Sequence, residues 1–176
     1  MDYFEFYRLS VSFNPDMKLV KQQFYALSKQ YHPDFYINES AEKQEEVLEL
    51  ATVNNKAYQI LSDPEKRLHY ILELKGMLAE GESYSLPQEF LLELMEVNEA
   101  LMELQFKPDA VQLDAIKKEV ALIDGNMQVE LNRLIASFEG QDKALQQVTL
   151  AAIKDLYYRK KYLRRIRESM TKLEAS

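Results

Sequence analysis

Three stretches of this chain, residues 87–105, 108–138 and 142–173, hold apolar residues at alternating spacings of three and four. Over that length the spacing fits one side of a helix and no strand. The only four glycines and five prolines fall mostly at the edges of such segments, as expected of residues that helix interiors exclude. The first seam is Phe90, Leu94, Val97, Leu101 and Leu104. The second is Leu113, Ile116, Val120, Ile123, Met127, Leu131, Leu134 and Phe138. The third is Leu145, Val148, Ala152, Leu156, Leu163, Ile166, Met170 and Leu173. Three long helices with short connections pack as an antiparallel bundle. Gly125 interrupts the middle helix as a candidate kink. Arg159 falls on the last seam, where either its stem carries the charge outward or the seam shifts locally.

The N-terminal part is also helical but finer-grained. A short aromatic helix is expected over 3–9. Asn14 caps and Pro15 opens a second helix ending by His32, since Pro33 forces the residue before it out of the helical region. Val20, Phe24, Leu27 and Tyr31 form its apolar face. A third helix starts near Ser40, carries Val47, Ala51, Asn54, Tyr58 and Leu61 on one side, and stops at Ser62-Asp63-Pro64. There Asp63 caps a further helix through Leu74. The connection 33–39 is short enough to make helices two and three antiparallel neighbours. GMLAEGESYS, residues 76–85, breaks the periodicity and marks a module boundary. The expectation is an all-α protein: a module over 1–75, a linker over 76–86 and a three-helix bundle over 87–176.

The chain has no cysteine, which removes disulfides and thiolate sites for zinc or iron–sulfur clusters. Two histidines, His32 and His69, are too few for the usual imidazole zinc sites. No nucleophile motif or phosphate-cradling glycine loop occurs, so neither an enzyme nor a cofactor or metal is expected. MDYFEFYRL lacks the basic patch and cleavage site of a signal peptide. No uncharged apolar run approaches the roughly 18 residues of a membrane span. A soluble, cytoplasmic protein is therefore expected. A net charge of −7 argues against nucleic acid as the main partner.

His32-Pro33-Asp34 lies at the tip of the hairpin formed by helices two and three. The plain reading is a turn in which Pro33 stops the helix and Asp34 bonds nearby backbone amides. At about 100° per residue, Lys18, Lys21 and Lys29 fall opposite the apolar face of helix two, with Tyr25 among them. No acid interrupts residues 17–31. A face of one sign beside an unusual turn suits an electrostatic docking strip, although a solvated face is the commoner origin of such a pattern.

DYFEFYRL, KQQFYALSKQYHPD and NNKAYQILSDPEKRLHY together resemble the J-domain. That resemblance spans residues 2–70. It implies docking onto a DnaK-type chaperone ATPase through His32, Pro33 and Asp34, with Lys18, Lys21 and Lys29 facing the ATPase and Tyr25 as a further contact. The tripeptide would act without chemistry of its own, and a hydrolase built on His32 and Asp34 lacks every accessory motif.

A J-domain followed directly by a three-helix bundle, opening with MDYF and carrying EFLLELMEVNEALMEL, resembles the HscB family, the J co-chaperone of iron–sulfur cluster assembly. The resemblance implies that the chain recruits the cluster scaffold protein, IscU-like, to a DnaK/HscA-type ATPase. It implies Leu91, Leu92, Met95, Glu96, Glu99 and Glu103 as scaffold contacts, with Tyr158 as a less direct match. The residues agree in part. Leu91, Met95 and Met102 form a second apolar stripe beside the core seam, and residues 76–106 hold seven acids and no Lys or Arg. An apolar stripe with a one-sign rim has the anatomy of a partner site, while a helix buried on two sides would also show two stripes. Tyr162 belongs either to this patch or to the bundle interior. The basic run RKKYLRRIR, residues 159–167, reads as a solvated face offsetting the acids of the 87–105 helix. A J-protein serving a different or general unfolded client is the alternative.

Overall fold

The computed structural model describes residues 1–175, which are helical with no strand among them. The chain divides into two compact units, one over Met1–Gly76 and one from Met77 onward.

In the first unit, α1 (Tyr3–Phe6) begins with a capping box in which Asp2 accepts from the Glu5 amide and Glu5 accepts from the Asp2 amide. It is shorter than the sequence suggests because Arg8 turns left-handed at φ 55°, the conformation that ends helices. The next helix, α2 (Met17–Gln30), is capped by Asp16, whose carboxylate accepts from Lys18 N at 2.9 Å. Asn14 is not the cap; its amide donates to Ser12 Oγ. Both residues are competent caps two positions apart, so only the fold chooses between them. A 3-10 turn (Pro33–Tyr36) leads to α3 (Ala41–Ser62), capped by Ser40, and then to α4 (Pro64–Leu74), where Asp63 accepts from the amides of Glu65 and Lys66. Phe24 stacks on Tyr58 at 4.1 Å and Ser28 meets Asn54, so α2 rises as α3 descends. Phe4, Tyr7, Val20, Val47, Ala57, Leu61, Ile71 and Leu72 are closed off from solvent. Arg67 is buried with them, donating to the carbonyls of Leu61 (2.7 Å) and Phe13 (3.3 Å). Burial pulls its pKa down against the charge of Asp63.

The second unit is an up-down-up bundle of α5 (Gln88–Phe106), α6 (Ala110–Phe138) and α7 (Lys143–Ala175). All five expected seam residues of α5 are buried. The long α6 is capped by Asp109 and runs unbroken through Gly125. At the start of α7, Asp142 accepts from Leu145 N at 2.9 Å. Here the structure departs from the expected seam. Leu145 and Val148 are exposed, and Thr149, Leu150, Ile153 and Tyr157 are buried in their place. Thr149, Leu156, Leu163 and Met170 recur every seven residues, and such a seam drifts by about 20° per heptad around a straight helix. Extending the C-terminal half of the seam backward at constant angle therefore lands on the wrong face.

Candidate functional site

Two surfaces carry the residues singled out in the sequence, one on each unit. At the hairpin tip, the imidazole of His32 does the local bonding. Its Nδ1 accepts from Asp34 N at 3.3 Å and lies 3.7 Å from Asp34 Oδ2. The Asp34 carboxylate therefore does not take the amide-bonding part that the plain turn reading gives it. His32 is also the N-cap of the 3-10 turn, and Pro33 is its first residue. Tyr36 fastens the turn to the end of α2, its hydroxyl donating to Gln30 O at 2.7 Å, and that carbonyl would otherwise be an orphan of the helix end. His32, Pro33 and Asp34 stay exposed. Lys18, Lys21, Lys29 and Tyr25 are exposed along α2 as well, with the Lys21 ammonium 6.0 Å from the Tyr25 ring. No acidic side chain pairs with the three lysines among the described residues. Sequence reasoning passed over Phe35, which is exposed directly after the tripeptide with its ring edge-on to His32 at 5.9 Å.

On the second unit, Leu91, Leu92, Met95, Asn98, Glu99 and Met102 of α5 and Tyr162 of α7 line a groove of about 400 Å³. Leu91, Leu92, Met95 and Met102 are 40, 52, 48 and 61% exposed, so the second stripe of α5 faces outward and is not buried within the bundle. Tyr162 is half-buried between groove and core; its hydroxyl accepts from Asn98 Nδ2 at 3.0 Å and its ring meets the buried Phe90 edge-on. This bond holds the groove wall in place. Asn98 escaped notice, although Leu91, Met95, Asn98 and Met102 keep the four-three-four spacing that marks a stripe. Glu96 and Glu103 are exposed on the same helix but stand outside the groove lining.

Tyr158 is not brought into the groove. It stacks flat on Tyr84 (4.4 Å between centroids, 7° between planes), and its hydroxyl donates to Glu82. Residues 77–86, expected as a connection between modules, lie within the second unit and form a strap along α7. Glu82 pairs with Lys154 at 2.5 Å, and the Tyr84 hydroxyl donates to Asp155 at 2.6 Å. The Lys154 bond holds the Glu82 carboxyl below its usual range against the opposing effect of burial. Burial and the Asp155 carboxylate push Tyr84 up to about 12.

Three cations of the basic run of α7 pair with acids outside α5. Arg159 pairs with Asp155 and lies 5.3 Å from the Phe90 ring, while Lys160 and Arg167 both reach Asp124 of α6. Burial opposes charge on Asp124, but Arg167 and Lys160 more than compensate and hold its carboxyl low. Among the described residues there is no cluster of three or more metal-ligating side chains, and no helix is long and apolar enough to cross a membrane.

Residues 2–70 match the family model of the DnaJ domain, and residues 86–171 match that of the HSCB C-terminal oligomerisation domain. A co-chaperone protein HscB homolog of Vibrio cholerae serotype O1 is 31% identical, with 99% of this chain and 97% of the relative aligned. Another from Neisseria meningitidis is also 31% identical, over 83% of this chain and 88% of its own. Among solved structures, the chaperone HscB from Vibrio cholerae superimposes with a TM-score of 0.72 at 27% identity, covering 99% of this chain and 98% of that one. The human co-chaperone protein HscB gives 0.75 at 25% identity, covering 97% and 81%. With both modules matched in the same order and full-length relatives aligned end to end, the chain belongs to the HscB family of J-domain co-chaperones.

Proposed function

We propose that the protein is a two-ended adaptor that brings an IscU-like iron–sulfur cluster scaffold to a DnaK/HscA-type chaperone ATPase and stimulates ATP hydrolysis there. The α5 groove is the observation that carries this reading. A soluble surface seldom keeps two leucines and two methionines outward on one helix unless a partner covers them. On its α5 side the rim supplies acids and no cations, the arrangement that steers a basic partner face and fixes its register. Leu91, Leu92, Met95 and Glu99 line it, with Glu96 and Glu103 as rim charges further along α5. Tyr158 contributes only after the strap yields it.

At the other end, Lys18, Lys21 and Lys29 steer an acidic surface of the ATPase toward α2, and the His32-Pro33-Asp34 tip makes the specific contact. The adaptor supplies no reacting group. It accelerates hydrolysis by binding the hydrolysis-competent arrangement of the ATPase more tightly than the resting one, which shifts the population by the difference in affinity.

Steady-state ATPase rates of a candidate chaperone, with and without the scaffold, test both ends at once. His32→Gln is expected to abolish stimulation while circular dichroism and scaffold affinity stay unchanged. Leu92→Ala combined with Met95→Ala is expected to weaken scaffold binding by roughly 10- to 100-fold, as two apolar contacts at the centre of an interface do, with scaffold-free stimulation retained. Unchanged scaffold affinity in the second variant would remove the groove from the reading.

A further inference from the structure

We propose that Phe35 is a further docking residue of the hairpin tip, its ring entering an apolar slot on the DnaK-type ATPase beside the contact made by His32-Pro33-Asp34. This rests on the adaptor reading and adds a component of recognition that neither the tripeptide nor the lysines of α2 supply.

Six of the eight phenylalanines in the chain are buried or half-buried, and only Phe35 and Phe106 are exposed. Phe35 is 67% exposed, and the closed core of the first unit is built without it. A lone apolar side chain on a loose surface loop calls for no partner, but the backbone around Phe35 is tied down on both sides. Its amide donates to His32 O at 3.1 Å, and the Asp34 amide donates to His32 Nδ1 at 3.3 Å. The Tyr36 hydroxyl reaches Gln30 O, and Gln44 Nε2 donates to the carbonyls of Ile37 and Glu39. An aromatic side chain has only two torsions to fix, so an anchor on an ordered turn loses little entropy on binding.

The turn also decides which way Phe35 faces. With three residues per turn, Pro33 and Tyr36 eclipse one another, and Tyr36 is held against the end of α2. Asp34 and Phe35 occupy the other two sides, and both are exposed. The Phe35 ring meets the His32 imidazole edge-on at 5.9 Å. Ring and imidazole form one continuous surface, so a partner that covers His32 covers part of Phe35 as well.

Charge defines the surface that fits. Lys18, Lys21 and Lys29 attract an acidic face over a range that salt shortens. Phe35 is neutral, and its gain on leaving water does not depend on that screening. The matching ATPase surface is an acidic face with an aliphatic or aromatic pocket at the end where the tip arrives. An aromatic anchor in a desolvated pocket contributes more than its share of affinity, so Phe35 discriminates among ATPases that offer an acidic face alone.

Steady-state ATP hydrolysis by a purified DnaK-type ATPase of the same cell, titrated with the full chain at low and at high salt, tests this. Phe35→Ala is expected to raise the half-maximal concentration about tenfold, as loss of an aromatic anchor does. The factor relative to wild type should be the same at both salts, with plateau rate, helical circular dichroism and scaffold affinity unchanged. Phe35→Leu keeps an apolar contact and is expected to recover most of the loss. Lys21→Ala should instead act at low salt and fade at high salt. A wild-type half-maximal concentration for Phe35→Ala overturns the proposal. So does a loss confined to the plateau, because the ring would then serve only to orient His32. Phe35→Leu behaving like Phe35→Ala overturns the apolar slot. A wild-type chain that stimulates no DnaK-type ATPase fails one step earlier and removes the adaptor reading, and this inference with it.

Discussion

Asn54 is 1% exposed at the centre of the first unit, yet each of its polar atoms is bonded. Its Oδ1 accepts from the Tyr7 hydroxyl at 2.8 Å, and its Nδ2 donates to Phe24 O at 3.1 Å and Ser28 Oγ at 3.0 Å. One side chain thus ties the segment after α1 to α2 and α3, the two helices that flank the His32-Pro33-Asp34 turn. A satisfied buried network stabilises modestly as built, but removing one member strands the others without water. Asn54→Ala is therefore expected to cost on the order of 2–3 kcal/mol, lowering the thermal midpoint of the first unit by roughly 10–20 °C. Thermal denaturation followed by circular dichroism checks this, and a loss below about 0.5 kcal/mol, the level of an ordinary surface change, would mean the network is not what holds the hairpin. The sequence places Asn54 on the inner face of its helix but cannot say why a polar residue belongs there. Its partners are 26 to 47 residues away.

At the scale of elements, the strap over residues 77–86 responds to pH in a defined direction. Tyr84 is neutral when it donates to Asp155, and its pKa rises from the usual 10 to about 12, first through burial and then through that carboxylate. A group bound more tightly to its proton when docked contributes fully below its free pKa. The contribution disappears as pH climbs from about 10 to about 12. The protection of amides in residues 77–86, taken relative to their intrinsic base-catalysed exchange rates, is expected to fall over that window, and Tyr84→Phe should flatten that fall, having no proton to lose. An identical pH profile for the variant would show that the hydroxyl does not hold the strap. Elements of this kind mark the limit of what a sequence shows. Ser40 and Asp63 were legible as caps because capping is local, and the α5 seam was legible because it keeps one angle. The start of α7 was not, since its seam rotates with each heptad. Tyr158 was not, because a glycine- and serine-containing stretch reads as a loop whether or not it docks.

At the scale of the whole molecule, the adaptor proposed above works only if one end can be engaged without disturbing the other. Each unit has its own closed core: Phe4, Tyr7, Leu61 and Leu72 in the first, Leu94, Val97, Ile153 and Leu163 in the second. Loss of stability in one core should then remain in that core, because cooperative opening follows contiguous packing. Native-state hydrogen exchange on full-length Asn54→Ala tests this directly. Amides of α1 to α4 are expected to lose protection by the same 2–3 kcal/mol that the substitution costs on melting, while the most protected amides of α5 to α7 keep wild-type rates. Scaffold affinity should be retained alongside them, since the groove is built wholly from α5 and α7. Faster exchange throughout both units would mean that they open as one body, and the tip could not then be remodelled by an ATPase while the groove keeps its hold.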